Sequence, residues 1–169
     1  MELQELFLKR RSVRAYKDGI GEEELRGIME KVLLAPSWKN QQTGRYYAAV
    51  SPEAIEAVYE AMPGFNQKSS EHAAYIVATF KKGVVGNPGP EQDLWGSYDL
   101  GLQNAYLLLQ AKEAGYDTLI MGLREEEKLR AYFSIPEDEI IMSVIAIGKG
   151  AQEPVLRPRK SLEEILTVK

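Results

Sequence analysis

The sequence contains no cysteine, and this absence excludes disulfides, thiolate nucleophiles, iron–sulfur clusters and cysteine-based zinc sites. It contains one histidine, His72, so a Ser-His triad would have to use that residue, and a histidine-rich metal site is excluded. His72 directly precedes an apolar run, and we interpret it as a partly exposed structural residue. Walker A and GxGxxG patterns are also absent, which removes the standard nucleotide-binding loops. We therefore predict no metal centre.

Long hydrophobic runs are missing as well. No stretch reaches the ~20 apolar residues that a membrane span requires, and the opening MELQELFLKRR does not have the shape of a signal peptide. The 169 residues carry a net charge of -4, so neither a nucleic acid nor an anionic membrane surface would attract the chain overall. We expect a cytoplasmic enzyme or binding protein with no nucleic-acid or membrane partner.

Hydrophobic periodicity and turn residues predict the secondary structure. The predicted helices are 2–9, 21–35, 52–62, 98–114, 124–133 and a small amphipathic one after Ser161, and the predicted strands are 45–50, 73–80, 117–121 and 139–148. The helix at 98–114 is apolar around most of its circumference, which predicts burial on several sides, either centrally or against a second subunit. The strand at 139–148 should be buried on both faces. Without repeats or a long linker, this order predicts one α+β domain over residues 1–169, with helices on the faces of a sheet.

Two groups of arginines stand near opposite ends of this acidic chain. Arg10, Arg11 and Arg14 lie where the first helix gives way to an irregular segment. Arg157 and Arg159 flank a proline, which forces extended backbone and sends both side chains to one side. If the two ends meet in space, the guanidinium groups could converge on one anion, and a phosphate dianion suits their paired donors. Two solvated basic patches that balance the acids are the alternative.

Two further stretches carry groups suited to a ligand. The loop APSWKNQQTG, residues 35–44, crowds serine, asparagine and glutamine around Trp38, and such side chains can bind the hydroxyls and ring edges of a polar ligand. A plain solvated loop is the alternative. The strand at 117–121 is followed by Gly122, which would let another group approach the backbone and accept a hydrogen bond from its N–H. An ordinary turn glycine explains Gly122 equally well.

Four motifs, taken in order, resemble the FMN-dependent nitroreductase family in its short, single-domain form. KRRSVRAY is similar to the family's N-terminal R-x-S-x-R/K element, and APSWKNQQ is similar to its A-P-S-x-x-N-x-Q loop. GYDTLIMG resembles the segment that delivers a backbone amide to the flavin, and RPRKSLEEI resembles the C-terminal basic element. The resemblance covers nearly the whole chain. It implies an α+β sandwich with a central, mostly antiparallel sheet flanked by helices, and an intertwined homodimer with FMN at the subunit interface.

The resemblance also implies which residues contact the cofactor. Arg10, Ser12, Arg157 and Arg159 would surround the FMN phosphate and ribityl chain. Arg14 would lie near the pyrimidine edge, where a cation favours the reduced ring electrostatically. The complete predicted set is Arg10, Arg11, Ser12, Arg14, Ser37, Trp38, Asn40, Gln42, Asn66, Met121, Gly122, Arg157 and Arg159.

Other members of this set would contact the ring. The amide of Gly122 would face the flavin N5, and Ser37 and Asn40 would reach in from the partner subunit. Asn66 matches the family's ring-edge contact only loosely, with Lys68 as a weaker companion. These positions imply that the protein orients the flavin through backbone and amide donors.

The sequence departs from the family directly after the loop glutamine. Many members carry a Pro-Trp pair there, whereas this chain has Thr43-Gly44. The change could widen the pocket beside the flavin, or Trp38 could refill the space. Trp95 and Tyr98 are candidates for a second wall because aromatic side chains stack on flat substrates, although ordinary core packing would also explain them. The predicted substrate pocket is Trp38, Gly44, Trp95 and Tyr98.

The resemblance implies a homodimeric FMN oxidoreductase that works in two half-reactions. NADH or NADPH would deliver a hydride to flavin N5, and a flat acceptor, such as a nitroaromatic, a quinone or a free flavin, would then take it. No side-chain acid or base stands out, so we predict that no side chain is catalytic. The alternatives are a specialised relative (flavin reductase, dehalogenase or enoyl-type reductase), a non-catalytic FMN storage or sensor protein, and a nonenzymatic α+β interaction domain.

Overall fold

The structure is a computed structural model that describes residues 2–86, 88–89 and 91–169. Its helices are α1 Leu3–Lys9, α2 Glu22–Val32, α3 Pro52–Glu60, α4 Gly64–Ser70, α5 Gln92–Glu113 and α6 Glu126–Phe133. Its strands are β1 Tyr16–Asp18, β2 Gly44–Ala49, β3 Ala74–Lys81, β4 Asp117–Met121 and β5 Glu139–Gly150. A 3₁₀ turn at Trp38–Asn40 precedes β2.

The strands form one sheet in which every strand pair is antiparallel. Both β3 and β4 pair with β5, β2 pairs with β3, and β1 pairs with the last residues of β5. Successive β5 side chains enter opposite cores, with Val144 and Ala146 in one and Ile145 and Ile147 in the other. All four are fully buried, which confirms the prediction of a strand covered on both faces.

Helices cover the two faces of the sheet. On one face, Ala54 and Val58 of α3 and Leu129 of α6 share a core with β3 and β5. On the other face, apolar residues of α2 and α5 pack against the same two strands. The sequence predicts an apolar stripe on this helix, formed by Leu25, Ile28, Met29, Val32 and Leu33. Leu25, Ile28 and Val32 are buried and Met29 is half-buried, but Leu33 lies just beyond the helix and is exposed, so its place on the stripe is wrong. The result is a helix–sheet–helix sandwich, as the sequence predicted.

Three differences from the predicted elements have physical causes. The tail after Ser161 forms only a turn, so the predicted amphipathic helix is wrong; its apolar side chains find no surface to pack on, and an isolated short helix is unstable. Helix α4 was not predicted because it begins with glycine and ends in a serine pair. Helix α5 begins at Gln92, six residues before the start predicted at residue 98, because the residues before it include a glycine and a serine that mark a helix poorly.

The longest helix, α5, is buried along one stripe only. That stripe includes three polar residues, Asp99, Gln103 and Asn104, while Trp95 and Tyr98 are exposed. Burial on several sides is therefore not seen within one chain, and burial against a second subunit stays a prediction. His72 is exposed, with a φ of 66° just before β3. Within the part of the chain that the structure describes, no helix is both long and apolar enough to cross a membrane.

Candidate functional site

The two arginine groups meet in one cleft of about 330 Å³, named here the arginine cleft. It is lined by Arg10, Arg11, Ser12, Arg14, Gln152, Pro154, Val155, Arg157 and Arg159. The predicted convergence of the two chain ends is therefore confirmed. A cleft of this size suits one part of a small ligand.

Backbone pairing explains why the ends meet. Strand β1 runs antiparallel to the end of β5, with Tyr16 opposite Gly150. Just beyond this pair, the N–H of Ala151 donates to the carbonyl of Ala15 at 2.8 Å. On its other side, the N-terminal segment is tied to β4, since the N–H of Val13 donates to the carbonyl of Thr118 at 3.1 Å. Residues 10–14 thus lie between β4 and the segment that follows β5.

The arginine cleft concentrates positive charge without acidic partners. Within the described ranges, none of its arginines forms an ion pair. Arg11 donates from Nη1 to the carbonyls of Phe7 and Arg10 at 3.0 and 2.8 Å, so it also closes the end of α1. The pKa of Arg10 lies below its ordinary value because of partial burial, and then because Arg11 and Arg159 add like charge. An anion bound here would relieve that repulsion.

A second cleft, named here the β4-end cleft, has a volume of about 410 Å³. It is lined by Arg14, Phe65, Asn66, Ser69, Leu119, Ile120, Met121, Gly122 and Leu123. Arg14 also lines the arginine cleft, so the two clefts adjoin at this side chain. A cation-rich cleft and a more apolar one are therefore arranged end to end.

Gly122 lies in the β4-end cleft where nothing in the chain requires a glycine. Its φ is not in the left-handed region, and a Cβ built on it would meet no atom within 4 Å. The Arg124 guanidinium donates to its carbonyl and to that of Ile141, while Asn66 Nδ2 donates to the carbonyl of Leu123 at 3.0 Å. The backbone at this point is thus fixed, and its open side faces solvent-accessible space. A close-approaching ligand would explain the missing side chain.

The predicted loop residues lie outside both clefts of their own chain. Trp38 is half-buried under Lys39, whose Nζ lies 4.5 Å from the ring centroid. Ser37 Oγ accepts the N–H of Gln42 at 3.0 Å, and Gln42 Nε2 donates to Asn40 Oδ1 at 3.0 Å. The structure therefore places the predicted residues of this loop (Ser37, Trp38, Asn40 and Gln42) close to one another and away from the cleft arginines.

The predicted substrate-pocket residues are also divided. Trp95 and Tyr98 form an edge-to-face pair, with centroids 5.8 Å apart, beside a shallow cavity of about 400 Å³. Gly44 lies instead in a groove between α2 and β2. A Cβ on Gly44 would meet the end of the Gln103 side chain, so the glycine leaves room for that side chain of α5. That Thr43-Gly44 also widens a pocket beside the flavin stays a prediction.

Sequence reasoning missed several residues of the site. Phe65 and Leu123 are exposed apolar side chains in the β4-end cleft, and neither was singled out because α4 was not predicted. Arg124 and Asp99 were missed because their roles depend on distant backbone groups. Asp99 accepts a hydrogen bond from the N–H of Trp38 across 61 positions of sequence.

Comparison with known proteins defines the class to which this fold and site belong. The profile of the Nitroreductase family matches residues 7–149. The chain therefore belongs to the nitroreductase family, and it is an enzyme of the oxidoreductase class. The family predicted from the four motifs is confirmed.

The individual relatives are moderately similar and match over most of their length. An Archaeoglobus fulgidus protein assigned as an NADH dehydrogenase or NAD(P)H nitroreductase is 29% identical, with 90% of this chain and 87% of the relative covered. A Thermus thermophilus NADH dehydrogenase is 28% identical, with 94% and 92% covered. An Exiguobacterium sibiricum protein of the nitroreductase type, solved in complex with FMN, is 22% identical and superposes with a TM-score of 0.89 over 100% of this chain and 98% of that one. The last likeness confirms the predicted fold.

Proposed function

We propose that this protein is an FMN-dependent oxidoreductase that takes two electrons from NADH or NADPH and passes them to a flat acceptor, such as a nitroaromatic, a quinone or a flavin. The observation that carries the proposal is the arginine cleft, whose cations lack acidic partners and which adjoins the β4-end cleft at Arg14. The FMN complex of the Exiguobacterium protein and the names of the two sequence relatives support it.

The arginine cleft fits a phosphate and a hydroxylated chain. Arg10, Arg157 and Arg159 make no side-chain hydrogen bond within the described residues, so their donors are available. Guanidinium groups bind phosphate oxygens through paired donors, which suits a dianion. The hydroxyl of Ser12 and the amide of Gln152 are the polar groups in the same cleft that can bind ribityl hydroxyls.

The β4-end cleft fits a flat heteroaromatic ring. Ile120 and Leu123 offer apolar surface, and Asn66 brings a side-chain amide into the same cleft. The bare Cα of Gly122 would allow close approach to the Gly122 N–H, and Met121 ends the strand beside it. Arg14, at the junction of the two clefts, would bring positive charge to one edge of the ring.

When bound, FMN would supply the chemistry of hydride transfer between a nicotinamide and an acceptor. This chain would bind the cofactor, orient it and provide the electrostatic field around the ring. Arg14 would stabilise negative charge at the edge of the ring that it faces. Arg124 and Asn66 would keep the carbonyls of Gly122 and Leu123 turned toward side-chain donors, so that backbone oxygens do not compete for the ligand-facing side. Among the residues lining the two clefts, no His, Asp or Glu is present as an acid or base.

A homodimer is part of the proposal. Large apolar side chains of the tail are exposed in the single chain, including Ile165 at 71% and Val168 at 82%. Several large apolar side chains exposed within one short segment are a candidate interaction surface. A second copy would cover it and would bring the loop at Ser37–Gln42 to the FMN of the partner, as the family resemblance implies.

The acceptor site is the least constrained part of the proposal. Trp95 and Tyr98 are 44% and 60% exposed, which favours a wall that a ligand or a second copy covers over ordinary core packing. We propose that they form one side of the acceptor pocket, with Trp38 supplied across the dimer. The one-domain organisation over residues 1–169 and the cytoplasmic location stay predictions.

The first test is the visible spectrum of the purified full-length chain, with a size measurement on the same sample. A yellow dimer with one FMN per chain is expected. A colourless protein whose thermal midpoint does not rise with added FMN would overturn the proposal and favour the nonenzymatic domain.

The second test separates an enzyme from a flavin-binding storage or sensor protein. The yellow protein is mixed anaerobically with NADH and, separately, with NADPH. Bleaching of the visible flavin band within seconds is expected, and persistent colour with both donors would contradict turnover. A panel containing a nitroaromatic, a quinone, free FMN and an enone then separates the general reductase from specialised relatives.

A further inference from the structure

Asp99 is a buried carboxylate that neither cleft uses. It lies on α5, is only 2% exposed, and its Oδ2 accepts the backbone N–H of Trp38 at 2.9 Å. No cation forms an ion pair with it within the described ranges. A buried carboxylate is costly unless it has a compensating partner, so the one hydrogen bond that Asp99 makes to the described residues calls for a role.

The loop that Asp99 contacts has an unusual backbone. Lys39, Asn40 and Gln42 have φ values of 46°, 58° and 49°, in the left-handed region that residues other than glycine rarely adopt. Three such residues within four positions make a strained segment, and strain persists only where surrounding contacts over-determine it. Strained segments of this kind occur most often at ligand-binding sites.

The contacts that maintain this loop are few. The hydrogen bonds of Ser37 Oγ and Gln42 Nε2 stay within the loop. Arg45 Nη1 donates to the carbonyl of Gln42 at 2.8 Å where the loop enters β2. Asp99 is therefore the side chain that ties the first half of the loop to the helical layer.

We propose that Asp99 is a positioning residue that holds the loop at Ser37–Gln42 in its FMN-binding shape. The inference rests on the proposed function of that loop. Trp95 lies one helical turn before Asp99 on α5, so the same helix carries the loop anchor and the predicted acceptor wall. One rigid element would thereby set the position of both.

The expected loss of FMN affinity follows from the fraction of molecules in which the loop has the binding shape before FMN arrives. If the loop without its anchor adopts the binding shape only a tenth of the time, the apparent dissociation constant for FMN rises about tenfold. Asp99→Leu removes the acceptor at nearly constant volume. Asp99→Asn retains a carbonyl oxygen that can accept the same hydrogen bond, and so it should restore most of the affinity.

Asn104→Leu is the matched control. Asn104 lies on the same helix, is 9% exposed, and its Oδ1 accepts the Tyr46 hydroxyl at 3.0 Å. The variant removes a largely buried helix–strand hydrogen bond that does not touch the loop. If Asp99→Leu does not fold, Asp99→Ala takes its place, since it also deletes the acceptor.

The experiment titrates FMN into the flavin-stripped full chain and records the dissociation constant, the thermal midpoint without ligand and the oligomeric state. The expected result is a dissociation constant raised about tenfold in Asp99→Leu and at most about twofold in Asp99→Asn and Asn104→Leu. Equal losses of affinity in Asp99→Leu and Asn104→Leu would reduce Asp99 to a structural role and overturn the inference. So would wild-type affinity in Asp99→Leu, or an Asp99→Asn variant as weak as Asp99→Leu. If the wild-type chain itself does not bind FMN, the proposed function fails instead.

Discussion

The arginines inside the arginine cleft differ from several cations outside it in whether they form ion pairs with acids. Outside it, Arg26, Lys81 and Lys128 each form an ion pair with an acid, at 2.7, 3.0 and 2.9 Å. Inside it, within the described residues, no arginine does. The chain has 25 acids for 21 basic residues, so acids are not scarce.

On the proposed function, we interpret this difference as serving an anionic ligand rather than stability. Exposed ion pairs stabilise a protein by only ~0.2–1 kcal/mol, so their absence costs little. Gathering like charges in one cleft is unfavourable, however. The pKa of Arg10 is lowered first by partial burial and then by the like charges of Arg11 and Arg159. The arrangement becomes favourable only when an anion is bound.

The largest effect should come from removing two cleft arginines together. Arg10→Ala/Arg159→Ala should raise the dissociation constant for FMN by about 100-fold, since each hydrogen bond to a charged group contributes ~1.5–3 kcal/mol. Equilibrium titration of the flavin-stripped protein measures it. The folded state should be retained or slightly stabilised, because repulsion in the empty cleft decreases.

The control is Lys81→Ala/Lys128→Ala, which removes the same net charge from paired positions. It should change the dissociation constant for FMN by less than about twofold, since these cations lie outside both clefts. If the two double variants weaken FMN binding equally, the effect is one of net charge only. Full stoichiometric yellow flavin in the arginine double variant would count against the phosphate assignment altogether.

A second effect should separate the two clefts. Gly122→Ala adds one methyl group where the chain has open space and an ordinary φ, so folding stability should be almost unchanged. A ligand that approaches the backbone closely would be displaced, and we expect FMN affinity to fall about tenfold, as for an overpacked contact of ~1–3 kcal/mol. Titration with FMN and a thermal melt on the same sample measure both quantities.

Gly27→Ala is the matched control for this steric prediction. Gly27 lies in α2, and a Cβ there would also meet no atom within 4 Å. Alanine should stabilise the helix by ~1 kcal/mol and leave FMN affinity unchanged. Undiminished affinity in Gly122→Ala would mean that no ligand approaches the end of β4 closely.

Removing the phosphate from the ligand should weaken binding about as much as removing the two arginines from the protein. Riboflavin should bind the wild-type chain more weakly than FMN by roughly the same 100-fold factor, and Arg10→Ala/Arg159→Ala should show little preference between the two. The ratio of the two dissociation constants, measured in both proteins, forms a double-mutant cycle. A preference for FMN that survives in the variant would assign the phosphate to other residues.

The same comparison explains how much of the site could be predicted from the sequence. Arg10 and Arg159 stood out because charge concentration is a local property of composition, and Gly122 stood out because it follows a strand. Asp99 and Arg124 could not be found this way, since each acts on a backbone group that only the folded chain brings near. Whether Ser37–Gln42 contacts a cofactor depends on a second copy, which one sequence does not describe.

For the fold as well, the elements set by local sequence were predicted, and those set by contacts between distant residues were not. β4 was predicted at its observed bounds, since its apolar run is bounded by turn residues. The stripe of α2 was correct up to Val32 because its period matches a helix, and wrong at Leu33, where the helix has ended. The short β1 forms only because the end of β5 pairs with it, and no local pattern marks it. The tail has a helical pattern but no packing surface within the chain, so periodicity alone predicted a helix there wrongly.

The smallest effect concerns Tyr75 in the core, whose polar group, unlike the guanidinium groups of Arg10 and Arg159, has a hydrogen-bond partner within the described residues. Tyr75 is fully buried, its hydroxyl donates to the carbonyl of Ser70 at 2.9 Å, and burial raises its pKa to about 12. The folded state therefore holds this proton more tightly than the unfolded chain, where the tyrosine pKa is ~10. This contribution to the free energy of unfolding is fully present below about pH 10 and is lost as the pH rises toward 12.

Denaturant unfolding at stepped pH, with tyrosinate absorbance, should show this decline in the free energy of unfolding. The Tyr75→Phe variant should show a flatter decline and a lower stability at neutral pH. An equal slope in the variant would contradict the assignment to Tyr75.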